Sequence, residues 1–225
     1  MKNIPKYVIT IDKNRHDAFK NRIPWPSIKY KGVKNKKNGC GLSHLNLWKE
    51  AGQKHAFFLV FEDDAELCRD FTQQDEKAIQ SFLHDPDSHI LFLGYNPYFT
   101  YSTGYKSPNI MNGHGLDLHA YIIKTPYAKY LDQKYGKMIR TNTFKFLGAI
   151  DTLFFLEPIN ILTPILFIQN GDSRYNHVEN FVENKPKLLT RLCTFANYVF
   201  FYGRMELFYI VIVLMVIIIT ATLVL

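Results

Sequence analysis

Cysteine is scarce in this chain, and the few cysteines follow no recognisable pattern. Cys40, Cys68 and Cys193 are scattered through 225 residues and are odd in number, so neither a disulfide framework nor a zinc-binding spacing is expected. Reduced thiols of this kind fit the cytosol best. The sequence also contains no internal repeat and no low-complexity tract.

A secretory signal is missing as well. Residues 1–6 lead into an apolar run of strand length, and charge follows it too soon for a signal peptide. The net charge of +7 is compatible with a nucleic-acid partner, but the lysines are spread along the chain, with only a modest cluster at 29–37. We therefore expect no nucleic-acid binding.

Charged side chains are absent from the C-terminal segment 207–225. At about 1.5 Å per residue, a helix of this length nearly spans a hydrocarbon core about 30 Å thick. Basic residues precede the segment at Lys185, Lys187, Arg191 and Arg204, and such residues stay on the cytosolic side near anionic headgroups. The alternative is a buried core helix or strand. The sequence favours a single-pass C-terminal transmembrane helix, a tail anchor that leaves the preceding domain on the cytosolic face of the membrane.

Three consecutive acids, Glu62, Asp63 and Asp64, end a short apolar run at 57–61. The run is aromatic and β-branched, which is typical of a strand buried on both faces. Ligands bind beyond the carboxyl ends of such strands in open α/β sheets. Adjacent carboxylates repel one another, and a divalent cation with oxygen ligands would relieve that repulsion and hold phosphates. The alternative is that the chain simply reaches solvent there.

A helix with glycines at its start precedes this strand. Apolar residues, among them Trp48, recur at helical spacing over 42–51, and Gly52 suits a C-terminal stop. Gly39 and Gly41 would allow the close backbone approach of a phosphate or a sugar. We expect Trp48 to lie in the core.

Two motifs carry a family resemblance. They are Gly-Cys-Gly-Leu-Ser-His-Leu-Asn-Leu-Trp at 39–48 and Phe-Leu-Val-Phe-Glu-Asp-Asp-Ala-Glu-Leu at 58–67. Together they resemble glycosyltransferase family 25, which includes lipopolysaccharide-biosynthesis sugar transferases and procollagen galactosyltransferases. Weaker pieces follow in the family's order across residues 5–175: an opening strand with Arg15, strands near 90–94 and 119–123, Asp151, and a closing segment at 164–173.

The order of predicted elements indicates an α/β sheet. Strands are expected at 7–11, 57–61, 90–93, 120–123 and 164–168, and helices at 42–51, at 73–83, and from Thr125 as N-cap with Pro126 in first position. Residues 94–115, rich in Tyr, Gly, Pro and Asn, are expected to form a loop. The resemblance implies a single GT-A-like nucleotide-sugar-binding domain with a mostly parallel sheet. We expect this domain at 1–175, a basic connector at 176–206 and the anchor at 207–225.

The resemblance also implies the chemistry. The expected activity is metal-dependent transfer of a hexose, galactose or glucose, from a nucleotide-sugar donor such as a UDP-hexose, with inversion and with Mn²⁺ or Mg²⁺ as cofactor. The acceptor would be a glycan, a lipid-linked saccharide or a protein. Residues 21–38 form a short Lys/Asn-rich connection where the family would have a longer βαβ region. One alternative is therefore a degenerate, non-catalytic domain that serves as a membrane-bound interaction module, and another is an unrelated metal-dependent phosphoesterase.

The candidate donor and metal residues lie in the two motifs. Asp64 is the first candidate for the metal ligand, with Glu62 beside it, and Glu62 or Asp63 would contact the donor ribose or the waters of the ion. Because side chains alternate along a strand, Asp63 is expected to face away if the extended geometry continues. Ser43 and His44 are further donor-site candidates, although His44 is also expected to hydrogen-bond and fix its loop against the sheet.

The acceptor side is predicted from later residues. An inverting transfer needs a base near the acceptor hydroxyl; Asp151 is the first candidate and Asp117 the second, the alternatives being a helix cap for Asp151 and a loop acid for Asp117. His177 is a candidate for a late metal contact. Four tyrosines in the expected loop offer aromatic faces for a sugar acceptor, unless they are simply exposed: Tyr95, Tyr98, Tyr101 and Tyr105.

Overall fold

The computed structural model describes residues 1, 3–35, 38–95, 100–115, 118–141, 150 and 153–169. In chain order this part of the protein forms β1 (Lys6–Thr10), α1 (Lys13–Arg22), β2 (Ile28–Lys31), α2 (Gly39–Ala51), β3 (Phe57–Glu62), β4 (Ala65–Leu67), α3 (Gln73–His84), β5 (Ile90–Gly94), β6 (Tyr101–Ser107), β7 (Ile110–His114), β8 (Ala120–Lys124), α4 (Thr125–Arg140), α5 (Leu153–Leu156), β9 (Ile159–Leu162) and β10 (Phe167–Gln169). The strands and helices expected at 7–11, 42–51, 57–61, 73–83, 90–93 and 120–123 are all present, with ends shifted by at most three residues.

The described strands join into one sheet with the order β2-β1-β3-β8-β5-β9-β7-β6, and β10 pairs with β5 and β4. β1 runs parallel to β2 and β3, and β5 runs parallel to β9. β8 lies between β3 and β5 and is antiparallel to both. Among the described strands, β4, β7 and β8 run opposite to the rest. An α/β fold with a mostly parallel sheet is thereby confirmed.

Helices cover both faces of the sheet at β3. Phe58 and Val60 pack in one hydrophobic cluster with residues of α2 and α4, whereas Leu59 and Phe61 pack in a second cluster with residues of α1 and α3. All four side chains are fully buried, as the continuous apolar run predicted. Trp48 is 2% exposed, so its predicted core position is confirmed.

Residues 21–38 contain more structure than their sequence indicated. α1 has Asp12 as its N-cap, whose side chain accepts a hydrogen bond from the backbone N–H of Asn14, and it leads to the edge strand β2. The region is short, as the sequence indicated, but it is not only a connection, because β2 completes a parallel βαβ unit with β1 and α1. β2 escaped prediction because its side chains are largely exposed and polar.

The prediction of a loop at 94–115 is also wrong for its later part, which contains two strands. β6 and β7 form an antiparallel hairpin, and its turn places Asn109 at a φ of 63°, a left-handed conformation that asparagine tolerates well. β7 in turn pairs with β9, which the sequence did not indicate. The late strand expected at 164–168 is present as β10 but is shorter and begins at Phe167.

The start of α4 differs in one detail from its prediction. Pro126 lies in the first turn as expected, but the N-cap residue is Lys124, without a side-chain capping bond. The hydroxyl of Thr125 instead donates to the backbone oxygen of His55, at 2.5 Å. This bond ties the start of α4 to the turn before β3.

The described residues include no helix that is both long enough and apolar enough to cross a membrane. The connector predicted at 176–206 and the anchor predicted at 207–225 both lie outside the described residues.

Candidate active site

A pocket of about 650 Å³ opens where β1 and β3 end. Because these neighbouring strands are parallel, their carboxyl ends meet at the same edge of the sheet, the edge at which ligands bind in open α/β sheets. The pocket is walled by the end of β1, the start of α1, the loop after β2, the first turn of α2 and the acids that follow β3. The first residues of the motif at 39–48 and the acids of the motif at 58–67 therefore line the same cavity.

All three acids line this pocket. β3 ends at Glu62, and Asp63 and Asp64 form a turn before β4. The extended strand geometry therefore ends before Asp63, and the alternation that would have pointed its side chain away from the pocket does not apply to it. The turn explains why three successive carboxylates can face one cavity.

Cationic side chains from α1 sit among the acids. The guanidinium of Arg15 forms an ion pair with Asp63 and lies 3.6 Å from Oδ2 of Asp64, and Nη2 of Arg22 donates to the backbone oxygen of Asp63 at 2.6 Å. These contacts offset part of the repulsion that the sequence predicted. Arg15 is half exposed, so its charge also faces the pocket.

The environment of Asp63 nevertheless disfavours its ionised form. Its side chain is 6% exposed, and burial raises its pKa, although a hydrogen bond from Thr10 and the charge of Arg15 act in the opposite direction. The neighbouring charges of Asp64 and Glu62 add to the rise. A cationic ligand in the pocket would stabilise the ionised form of this carboxyl group.

Asp64 has one oxygen that is ready for a ligand. Its Oδ2 accepts a hydrogen bond from the side-chain amide of Gln169 at 3.1 Å. Its Oδ1 is buried and has no hydrogen-bond partner among the described residues. A buried carboxylate oxygen without a donor fits a hard divalent cation, since Mg²⁺ and similar ions are bound by carboxylates, phosphates and water.

Glu62 is held by the helix motif. Its Oε1 lies 3.1 Å from Nε2 of His44 and accepts a hydrogen bond from the thiol of Cys40 at 3.3 Å. Burial alone would raise the pKa of Glu62, but the hydrogen bond and charge of His44 and the bond from Cys40 outweigh it and leave the pKa below its ordinary value. Glu62 is therefore ionised and anchored on α2.

Ser43 and His44 organise the wall of the pocket. The Ser43 hydroxyl donates to the backbone oxygen of Gly39 at 2.6 Å and accepts from the backbone N–H of Val33 at 2.8 Å. A Cβ on Gly39 would lie 2.5 Å from the oxygen of Val33, so only glycine permits this approach of loop and helix. His44 is fully buried and contacts Tyr121 as well as Glu62. His44 thus hydrogen-bonds to residues of the sheet, which agrees with the expectation that it fixes its loop against the sheet.

Several candidates cannot be placed with these residues. Asp151, Asp117, His177 and Tyr98 lie outside the described residues. Tyr95 is 2% exposed and belongs to the core, so its assignment to a polar acceptor loop is wrong. It follows β5 directly, where the chain is still enclosed by the sheet. Tyr105 is exposed on β6.

Four residues that line the pocket or contact its acids were missed or undervalued: Arg15, Arg22, Cys40 and Gln169. Arg15 and Arg22 belong to a helix whose amphipathic signal is weak, because His16 and Phe19 are its buried residues. Gln169 reaches Asp64 through the pairing of β10 with β4. Such a contact between distant parts of the chain leaves no local sequence signal.

The comparison with protein families identifies this chain. The model of glycosyltransferase family 25 (LPS biosynthesis protein) matches residues 8–143, more than half of the sequence, and includes all the residues that line the pocket. The chain belongs to glycosyltransferase family 25. It is a glycosyltransferase, as the two motifs predicted.

Solved structures with a similar arrangement are distant in sequence. A197 from STIV is 10% identical, with a TM-score of 0.44 over 75% of this chain and 94% of that chain. HddC from Yersinia pseudotuberculosis is 16% identical, with a TM-score of 0.42 over 80% of each chain. A glycosyltransferase involved in the glycosylation of the major capsid of PBCV-1 is 12% identical, with a TM-score of 0.37 over 79% of this chain and 98% of that chain. None of the curated proteins compared with this chain matches it.

Proposed function

We propose that the protein transfers a hexose, galactose or glucose, from a nucleotide-sugar donor such as a UDP-hexose to a hydroxyl group of a glycan, lipid-linked or protein acceptor. The observation that carries this proposal is the pocket itself, in which three carboxylates, Arg15 and the N-terminus of α2 converge. Its volume of about 650 Å³ lies within the range of about 300–1,000 Å³ that is usual for small-molecule sites.

The donor diphosphate would bind between cationic groups of this chain. Arg15 is half exposed beside the acids, and the first residues of α2, Gly39 and Cys40, line the same cavity. A helix N-terminus attracts phosphate through its free N–H groups and its dipole. These two features would orient the leaving group while Asp63 and Glu62 contact the ribose or bound water.

Mn²⁺ or Mg²⁺ fits the oxygen ligands that Asp64 offers. The buried Oδ1 without a hydrogen-bond donor supports Asp64 as the direct ligand, with Glu62 as the second candidate. When bound, such an ion supplies positive charge against the negative charge that grows on the leaving diphosphate. Glu62 is already held by His44 and Cys40, which supports the order of these two candidates.

The acceptor half of the proposal rests on the family and the sequence. In an inverting transfer the acceptor hydroxyl attacks the anomeric carbon from the side opposite the diphosphate, and a base removes its proton. We assign that base to Asp151, with Asp117 as the alternative. The uncharged segment 207–225 and the basic residues before it support a membrane tether, with the transferase domain on the cytosolic face and an acceptor at or near the membrane.

A non-catalytic interaction module is the second candidate function. The short region at 21–38 is the reason to consider it. The presence of β2 at Ile28–Lys31 within that region weakens this reason. The convergence of the three acids with Arg15 and the start of α2 in one pocket favours catalysis. A metal-dependent phosphoesterase remains the third candidate.

A panel of nucleotide sugars separates these candidates. A ligand that binds the folded state raises the melting temperature, so a UDP-hexose should stabilise the full-length chain more with Mn²⁺ than with EDTA. Addition of saccharide acceptors should then release nucleoside diphosphate. Stabilisation without release under any acceptor would favour the non-catalytic module, and hydrolysis of simple phosphodiesters would favour the phosphoesterase.

A further inference from the structure

Three side chains of different chemistry converge on one point of the pocket wall. The ligand atoms of Cys40, His44 and Glu62 all lie within 4.8 Å of one another. Glu62 Oε1 is 3.1 Å from His44 Nε2 and 3.3 Å from Cys40 Sγ. The donor pocket therefore holds a thiol, an imidazole and a carboxylate in one cluster.

These separations match the edges of a tetrahedral zinc site. With Zn–S bonds of about 2.3 Å and Zn–N and Zn–O bonds of about 2.0–2.1 Å, neighbouring ligand atoms lie about 3.3–3.6 Å apart. The two edges to Glu62 fall within a few tenths of an ångström of that range. The third edge, between Cys40 and His44, is within 4.8 Å and would close to a similar length when the ion binds.

The ligand chemistry selects zinc over the hard cations. Thiolate and imidazole are ligands for Zn²⁺ and similar ions, whereas Mn²⁺ and Mg²⁺ prefer carboxylates and water. A thiolate and a carboxylate together carry two negative charges, which a divalent ion would neutralise. Cys40 lies in the first turn of α2, where the positive end of the helix favours a thiolate.

A second layer of contacts orients the histidine before any ion arrives. His44 Nδ1 lies 2.7 Å from the hydroxyl of Tyr121, and the indole N–H of Trp48 donates to that hydroxyl at 2.8 Å. His44 and Tyr121 are both fully buried. Contacts of this kind to the other ring nitrogen fix the orientation of metal-binding histidines, and here they aim Nε2 at Glu62.

We propose that Cys40, His44 and Glu62 form a Zn²⁺ site in the donor pocket, with its fourth position open to the cavity. Cys40 and Glu62 both line the cavity, so the fourth ligand would be water or an anionic group of a bound molecule. Three protein ligands and one exchangeable ligand characterise zinc sites that are open to small molecules. Binding releases the thiol proton of Cys40, and the proton that His44 Nε2 shares with Glu62 moves to Nδ1, from which it can be donated to the hydroxyl of Tyr121. This site takes Glu62, the second candidate for the hard cation, and leaves that cation to Asp64; it does not depend on transferase activity.

The test is a competition between the full-length protein and a chromophoric chelator for Zn²⁺. The wild type should withdraw one equivalent of Zn²⁺ from the chelator, and Cys40→Ser should weaken that affinity by about 10-fold or more. Cys68→Ser is the matched control, because Cys68 is also exposed but its thiol donates to the backbone oxygen of Ile165. Its affinity should equal that of the wild type.

A second measurement tests whether Cys40 itself is the thiolate ligand and whether the variants are folded. Co²⁺ in place of Zn²⁺ should give thiolate-to-cobalt charge-transfer absorption in the wild type and in Cys68→Ser but not in Cys40→Ser, while melting temperatures measured in EDTA stay alike. Asp64→Asn should keep its Zn²⁺ affinity even if it loses Mn²⁺, so failure of the hard-cation proposal is distinguishable. Equal Zn²⁺ affinity in the wild type and Cys40→Ser, or no withdrawal by the wild type, would overturn the proposal.

Discussion

Asp64 differs from its two acidic neighbours in the state of its oxygens. Glu62 is held by His44 and Cys40, and Asp63 is paired with Arg15, whereas Oδ1 of Asp64 is buried without a hydrogen-bond donor in the described part of the chain. An isolated buried oxygen of this kind is costly unless a ligand fills it. The cost is a structural reason to place the hard cation here.

Replacing this carboxylate separates metal binding from folding. Asp64→Asn should abolish the Mn²⁺ dependence of UDP-hexose binding while leaving the melting temperature unchanged or slightly higher, because it relieves repulsion among three adjacent acids. Calorimetric titration with Mn²⁺ and with EDTA measures the first effect. Asp70→Asn, at an exposed acid outside the pocket, is the control. Unchanged metal dependence in Asp64→Asn would show that the ion binds elsewhere.

At the scale of elements, the pocket depends on how α2 is joined to the loop after β2. The Ser43 hydroxyl accepts a hydrogen bond from the backbone N–H of Val33 in that loop and donates one to Gly39 within α2. Ser43→Ala would leave the part-buried N–H of Val33 without this acceptor, which costs about 1 kcal/mol, the lower end of the range for buried groups.

The expected result for Ser43→Ala is a lower free energy of unfolding together with weaker donor binding. Urea denaturation and donor titration of the same preparation measure the two effects. Ser81→Ala, on an exposed face of α3, should change neither. If Ser43→Ala lost stability but kept full donor affinity, the loop at 33–35 would not be a wall of the donor site.

A second joint links the β6–β7 hairpin to the end of α3. The carboxylate of Asp85 accepts hydrogen bonds from Lys106 at 2.6 Å and from Ser88 at 2.8 Å, and these bonds lower the pKa of Asp85 to about 2. A carboxyl group whose pKa is lowered by folding stabilises the protein above its ordinary pKa of 3.8. That stabilisation is lost as the pH falls through about 2.

The prediction for Asp85→Asn is therefore pH-dependent. The variant should unfold at a lower urea concentration than the wild type at pH 7, and the difference should shrink as the pH falls from about 4 to about 2. Asp87→Asn, at an exposed neighbouring acid, should show no such trend. A difference that stays constant across this range would mean that the ion pair with Lys106 contributes nothing to stability.

The sequence predicted those elements whose apolar pattern is local. β3 and α2 carry their own signals, and the acids after β3 correctly marked the edge of the sheet at which a pocket lies. β2 and the β6–β7 hairpin were not predicted, because β2 is polar and exposed and the hairpin residues are rich in turn formers. β9 was also missed, because a buried run of only four residues is too short for periodicity to identify. Arg15 and Gln169 reach the acids from distant elements, which no local pattern encodes.

At the scale of the whole molecule, the transferase domain and the C-terminal segment have separate predicted roles. Removing residues 207–225 should transfer the protein from the membrane fraction to the soluble fraction without changing the melting temperature, since no core packing is assigned to that segment. Val216→Lys tests the same idea in the intact chain, because residue 216 is the midpoint of the segment and a lysine at the centre of a spanning helix costs about 2.5–3.5 kcal/mol. Thr220→Ser is the control. Aggregation of the shortened chain would show that the segment belongs to the core.

We propose that the transferase binds its nucleotide-sugar donor in the pocket at the ends of β1 and β3, through a divalent cation on Asp64. A crystal structure with Mn²⁺ and a UDP-hexose, with the ion located by anomalous scattering, would test this binding mode. We expect one manganese peak about 2.1 Å from Oδ1 of Asp64, with the diphosphate between that ion, Arg15 and the N-terminus of α2. A donor bound elsewhere, or an ion without contact to the acids at 62–64, would contradict it.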